Sequence, residues 1–393
     1  MVDVGLVVTL VIASGASLFM AWAIGAGSSG STPFAPAVGA NAISVMRAGF
    51  LVGILGFAGA VLQGQNVTEA VGGELIVGDP LTPVAAIVAL VLAATLVAIG
   101  VFAGYPIATA FTVTGAVIGV GLAMGGAPAW AKYAEIAALW ILTPFVGGGL
   151  AYGIAWLLRE DRVPEAVAVA LLAGLIGVLC ANIEFAVLGS ADAGASIAVE
   201  LGRLAPGSTL VGALVTTALF GAGAAAVVYR GMRTDVVATE RRFLLVLGGL
   251  VAFSAGGSQV GLALGPLLPL LEPFEISIFA ILVGGGVGLL VGSWTGAPRM
   301  IKAIAQDYSS LGPRRSIAAL IPSFAIAQTA VLFGIPVSFN EIIISAVIGS
   351  GYAAGSGGVS RGKMLYTVGA WVASLALALG VGYGAFLAVD AIL

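Results

Sequence analysis

The 393-residue chain has no histidine, a single cysteine, and only 8% charged residues, against about 25% in soluble domains. Without histidine there is neither imidazole metal ligation nor imidazole acid–base chemistry. One cysteine, Cys180, excludes an intrachain disulfide and a thiolate metal site. The net charge is −3 and no basic patch offers a surface for nucleic acid. Neither a nucleophile–base arrangement nor a nucleotide-binding motif supports an enzyme, and no cofactor or metal is expected.

Apolar residues fill the space left by charge, at 60% of the chain. Twelve apolar runs emerge: 4–27, 43–63, 82–103, 106–125, 133–158, 164–189, 207–229, 243–270, 276–297, 316–334, 337–355 and 364–390. Each approaches or exceeds the ~20 residues that cross about 30 Å of hydrocarbon. The expected fold is therefore an all-α polytopic membrane protein of about twelve transmembrane helices. The fourth and eleventh runs are short and begin at a proline, so both a full span and a re-entrant segment fit them. The first run follows Asp3 with no basic region before it, and reads as a retained helix, not a cleaved leader.

Two apolar runs are interrupted by small polar residues. Ile24–Gly39 holds Ser28, Ser29, Ser31 and Thr32 among glycines and prolines; Phe253–Pro266 holds Ser258 and Gln259. Each composition predicts a broken helix, and backbone groups freed at membrane depth need protein, water or ligand as partners. Each break has a companion: Gly104-Tyr-Pro-Ile-Ala-Thr109 for the first and Gly334-Ile-Pro-Val-Ser338 for the second. Gly25 and Pro106 are 81 residues apart, Gly256 and Pro336 are 80 apart. That register predicts an internal repeat, over 1–125 and 243–355, with 126–242 as linking scaffold helices and 356–393 as a C-terminal helix.

Assigning alternate connections to one side puts 13 of the 15 Lys and Arg residues together; only Lys132 and Arg203 fall opposite. By the positive-inside rule the rich side is cytoplasmic and both termini are outside the cell membrane. The two repeats then enter the bilayer from opposite sides, which is the inverted-repeat plan of alternating-access transporters, with a site near the midplane. The scaffold helices are candidates for a homodimer surface.

At such a site an oxyanion needs donors and positive potential. The candidates are the hydroxyls of Ser28, Ser29, Ser31, Thr32, Thr109, Ser258 and Ser338, the amides of Gln259 and Asn340, and backbone N–H groups at half-helix N-termini. Neither break contains a basic residue. Glu341, next to Asn340 in the eleventh run, is the candidate for carrying a coupling proton, because a carboxylate at membrane depth is expensive and is by default functional.

These segments resemble the inorganic phosphate transporter (PiT) family. It carries Gly-Ala-Asn-Asp-Val-Ala-Asn-Ala in each half and Gly-Leu-Pro-Val-Ser-Thr-Thr-His some 80 residues later. Met20–Ala26, Ala252–Ser254 and Leu264–Leu267 look like the surroundings of the first motif. Tyr105–Gly121 and Gly334–Glu341 resemble the second, and Trp140–Pro144 and Pro298–Ile304 resemble further family segments. The resemblance implies a secondary transporter of an inorganic anion, coupled to H⁺ or Na⁺. The departures lie in the motifs themselves. Gly27–Ser31 and Ser258–Leu262 replace Asn-Asp-Val-Ala-Asn, Gly56 replaces an acidic residue, and Phe111 and Glu341 replace the two histidines. The Gly-Ala-Ser-Gly type of first motif is similar to that of the sulfate permeases of the same superfamily, so phosphate and sulfate are both candidate substrates. The absent aspartates also admit a different class of reading, a channel or substrate sensor that kept the fold.

Overall fold

The computed structural model describes residues 4–160, 162–190, 193–205, 207–308, 310–353 and 361–392. Asp3 and positions 354–355 of the expected eleventh span lie outside the described residues. The helices are α1 (Val4–Gly27), α2 (Ala35–Gly39), α3 (Val45–Gln63), α4 (Gln65–Gly73), α5 (Pro83–Ala103), α6 (Thr109–Ala123), α7 (Trp130–Leu157), α8 (Glu165–Ala181), α9 (Ile197–Leu204), α10 (Thr209–Thr234), α11 (Val236–Leu264), α12 (Ile278–Thr295), α13 (Ala297–Asp307), α14 (Pro313–Leu332), α15 (Phe339–Tyr352) and α16 (Arg361–Asp390). Two short antiparallel pairs accompany them, β1 (Ile76–Val77) with β2 (Ala127–Pro128) and β3 (Glu184–Ser190) with β4 (Ala193–Ser196).

Among the described residues nine helices are long and apolar enough to cross a membrane: α1, α3, α5, α7, α10, α11 with its continuation to Leu270, α12, α14 and α16. The protein is an all-α polytopic membrane protein. The expected fourth and eleventh spans are short helices. At ~1.5 Å per residue, the 15 residues of α6 and 14 of α15 reach about 22 Å, less than the ~30 Å hydrocarbon thickness. Local chemistry explains both. Gly104 (φ 73°) and Gly334 (φ 61°) adopt the left-handed conformation that closes α5 and α14. Tyr105 N–H and Ile335 N–H then bond back to Gly100 O and Ala330 O. The prolines two residues after each glycine bar the chain from resuming a helix at once. It restarts at Thr109 and at Phe339. Pairing of Ile76 with Pro128 ties the approach to α5 to the exit from α6, so α5 and α6 form a hairpin whose ends share one side.

Several other expectations change. α11 runs unbroken through Ser258 and Gln259 to Leu264, and only at Gly265–Leu270 does it tighten to a 3-10 helix. The glycines there serve helix packing and leave the ladder intact; the turn is imposed by Pro266, with Pro269 inside the 3-10 segment. The first break is real: α1 stops at Gly27, a turn covers 28–34, and α2 follows. The expected span 164–189 stops at Ala181, after which the chain enters β3. Only Asp235 separates α10 from α11, its carboxylate accepting from Ala238 N–H as an N-cap. The connection 64–80 contains α4. On α12, Gly288 meets the Ala21 side chain, whereas Gly284 has nothing within 4 Å.

The packing has a recurring pattern. α6 lies along α16, and α15 lies along α7. The Trp371 indole on α16 donates to Pro106 O at 2.9 Å, and the Trp140 indole on α7 donates to Pro336 O at 2.9 Å. Pro106 and Pro336 are 230 positions apart, Trp140 and Trp371 231. α1 packs on α12 with the Gly25 Cα against the Leu289 carbonyl, and α11 packs on α3 with the Gly256 Cα against the Gly56 carbonyl.

Candidate functional site

The turn after α1, the middle of α11, and the starts of α6 and α15 meet in the core. Ser28, Ser258, Gln259, Thr109, Ser338 and Asn340 are fully buried, and Glu341 is 2% exposed. α6 and α15 are entered from extended residues, Ala108 and Ser338, neither of which caps its helix through a side chain. The first ladder bonds are Thr112 N–H to Ala108 O and Ile342 N–H to Ser338 O. The N–H groups of Thr109–Phe111 and Phe339–Glu341 therefore have no intrahelical acceptor. Two helix N-termini, each with donors and a positive dipole end, open into the same buried region.

Direct bonds join the four segments. The Thr109 hydroxyl donates to the Gln259 side-chain oxygen at 2.7 Å and lies 3.3 Å from the Ser28 hydroxyl. The Gln259 amide donates to Val337 O. The Asn340 amide donates to Gly27 O at 3.0 Å and to Ile107 O at 2.6 Å. Those two bonds fix which end of the Asn340 amide points inward. Its Oδ1 has no partner among the described residues, and neither do Ser258 Oγ, Ser338 Oγ and Glu341 Oε2. Buried polar atoms are normally bonded, so four orphans, three at the start of α15 and one on α11, make this a candidate ligand position.

Not every candidate takes part in this cross-linking. Ser31 and Thr32 hydroxyls donate to Ser28 O at 3.2 and 3.1 Å, and Ser29 to Ile24 O at 3.5 Å. These three brace their own turn, as short hydroxyl side chains do where a helix ends. Phe111, which stands where the resemblance expects a histidine, stacks on Trp140 with ring centroids 3.8 Å apart. Sequence reasoning missed the carbonyls of Gly27, Ile107 and Val337 and the two tryptophans that hold the proline carbonyls. The tryptophan spacing matches that of the prolines and was the available signal. Gln328 on α14 links helices outside this cross-linking: its amide donates to Gln63 Oε1 at 3.2 Å and to Ser254 at 2.6 Å.

The fold is that of a polytopic membrane protein in which two short helices start at a buried, hydroxyl-lined centre. The family profile described as Phosphate transporter family matches residues 24–382. The chain belongs to that family, which is one of transport proteins and not of enzymes. It is 27% identical to a Pyrococcus abyssi protein carrying the name of a phosphate permease, over 96% of each chain. It is 24% identical to the chloroplastic inorganic phosphate transporter 2-1 of Arabidopsis thaliana, over 91% of this chain and 68% of that one. A solved structure titled the sodium-dependent phosphate transporter superposes with a TM-score of 0.82 over 98% of this chain and all of that one, at 22% identity, a likeness of fold.

Proposed function

We propose that this protein carries inorganic phosphate across the membrane as a secondary transporter, the anion sitting between the N-termini of α6 and α15. The observation that carries the reading is the pair of uncapped half-helix starts beside four unpartnered buried polar atoms. Family membership and the names of the relatives support phosphate. So does hydrogen-bond chemistry. Asn340 Oδ1 is an acceptor only, and a phosphate that keeps a proton can donate to it, whereas sulfate at neutral pH has no proton to give. Alternating access is supported by the pattern of contacts 230–231 residues apart. We read residues 1–125 and 243–355 as inverted repeats, with α7 and α16 as an equivalent pair that each brace the other repeat's half-helix. Arginine distribution supports a cytoplasmic location for the ends carrying Arg47, Arg159, Arg241 and Arg314. The test is uptake of labelled phosphate against labelled sulfate into proteoliposomes, with and without Na⁺ and a pH gradient. Phosphate uptake that saturates and exceeds sulfate uptake supports the reading; equal rates for both, or a linear flux with no counterflow, overturns it.

Coupling follows from what is absent and what remains. The family aspartates are Ser28 and Gln259 here, which removes the strongest oxygen ligands for Na⁺ from those motifs, while Glu341 is buried beside the anion position. A proton on Glu341 lowers repulsion toward an entering anion, and its loss on the other side favours release. Glu341→Gln is expected to leave phosphate binding largely intact and to flatten the dependence of uptake on the pH gradient. An unchanged gradient response in this variant, or wild-type uptake that requires Na⁺ and ignores pH, rules the proton role out.

A further inference from the structure

We propose that the groove between the start of α3 and the start of α11 binds an anionic phospholipid, with its phosphodiester held by Arg47 and Arg241. A cavity of about 410 Å³ lies there, lined by Met46, Arg47, Phe50 and Leu51 of α3 and by Arg241 and Leu245 of α11, with no acidic residue in its wall. It is separate from the buried anion site. The spacing 46, 47, 50, 51 places these four side chains on one helix face.

The upper part of the groove is cationic. Arg241 spends its Nε on Ala42 O at 2.9 Å, which orients the guanidinium and leaves its terminal nitrogens to donate elsewhere. No hydrogen bond or ion pair occupies Arg47 among the described residues. Ser44 starts α3 without a side-chain cap, and the first ladder bond is Ala48 N–H to Ser44 O. The N–H groups of Val45, Met46 and Arg47 thus add donors and a positive helix end at the same level. The lower part is apolar and open: Met46 is 69% and Phe50 52% exposed. Phe50 stacks on Trp294 at 5.3 Å, and an indole of this kind marks the level of the membrane interface. Guanidinium groups above an exposed apolar trough match a phosphodiester with acyl chains below it. Free inorganic phosphate would satisfy the arginines and leave the trough wet, so the lipid is the occupant the surface fits.

Native mass spectrometry of the full chain, released from bilayers of phosphatidylcholine with phosphatidylglycerol, tests this. The wild type is expected to retain phosphatidylglycerol in preference to phosphatidylcholine. Each arginine near the surface is worth about fivefold in affinity, so Arg47→Gln should weaken retention about fivefold and Arg47→Gln with Arg241→Gln roughly thirtyfold. Arg203→Gln, on α9, should change nothing. Arg47 is exposed and makes no hydrogen bond or ion pair among the described residues, so its single substitution does not put folding at stake. Equal retention by wild type and Arg47→Gln, or displacement of the bound lipid by inorganic phosphate, overturns the proposal.

Discussion

Asn340→Leu is expected to lower phosphate uptake by at least about thirtyfold per folded molecule. The side chain is fully buried and its amide donates to Gly27 O and Ile107 O, one at the end of α1 and one just before α6. It therefore ties the first break to both half-helices, since it stands on the first turn of α15. Leucine has similar volume but takes the donor from the buried Gly27 carbonyl, at about 1–3 kcal/mol, and from the part-buried Ile107 carbonyl. About two kcal/mol lost in holding the four segments together is about thirtyfold in the population of the arranged site within the folded protein. Asn340→Asp is expected to be no better, because it sets a carboxylate against two carbonyl oxygens and adds negative charge where an anion must enter. Uptake of labelled phosphate, normalised to monodisperse protein, is the measurement. Rates within about threefold of wild type for both variants would remove Asn340 from the site.

The second large effect is on folding. A Cβ on Gly256 would overlap the carbonyl oxygen of Gly56, which is backbone and cannot swing aside. Gly256→Ala is expected to cost about 1–3 kcal/mol as an overpacked contact, and Gly256→Val to prevent accumulation of monodisperse protein. Gly284 on α12 has nothing within 4 Å, so Gly284→Ala is the matched control and should be neutral. Thermal unfolding in detergent, followed by size-exclusion chromatography, reads both. If Gly256→Val unfolded at the same temperature as Gly284→Ala, α11 and α3 would not be held in the close approach described above.

In sequence alone, hydropathy located the nine long apolar helices found among the described residues, most of their ends to within a few residues, because hydrocarbon thickness sets a length that apolar runs must meet. The register of Gly25 with Pro106 and of Gly256 with Pro336 marked the four segments that meet at the centre, and it did so because glycine and proline act locally on the backbone. Those same local rules misplaced the second break. Glycines at 256, 257 and 261 looked like helix breakers, yet neighbouring backbones fill the space beside them and the ladder continues to Leu264. Periodicity could not say whether 106–125 and 337–355 crossed the bilayer, since both answers share one composition; the hairpin closed by β1 and β2 decided it for α6. Which hydroxyls face the centre was also invisible. Ser28 and Ser31 differ by three positions and nothing in composition separates them. Tertiary packing brings Ser28 within 3.3 Å of Thr109 and leaves Ser31 bonded to its own turn. The chemical types at the site were thus written locally in the chain, whereas its donors, its orphaned acceptors and its carbonyl ties arose only when segments more than 200 residues apart were pressed together.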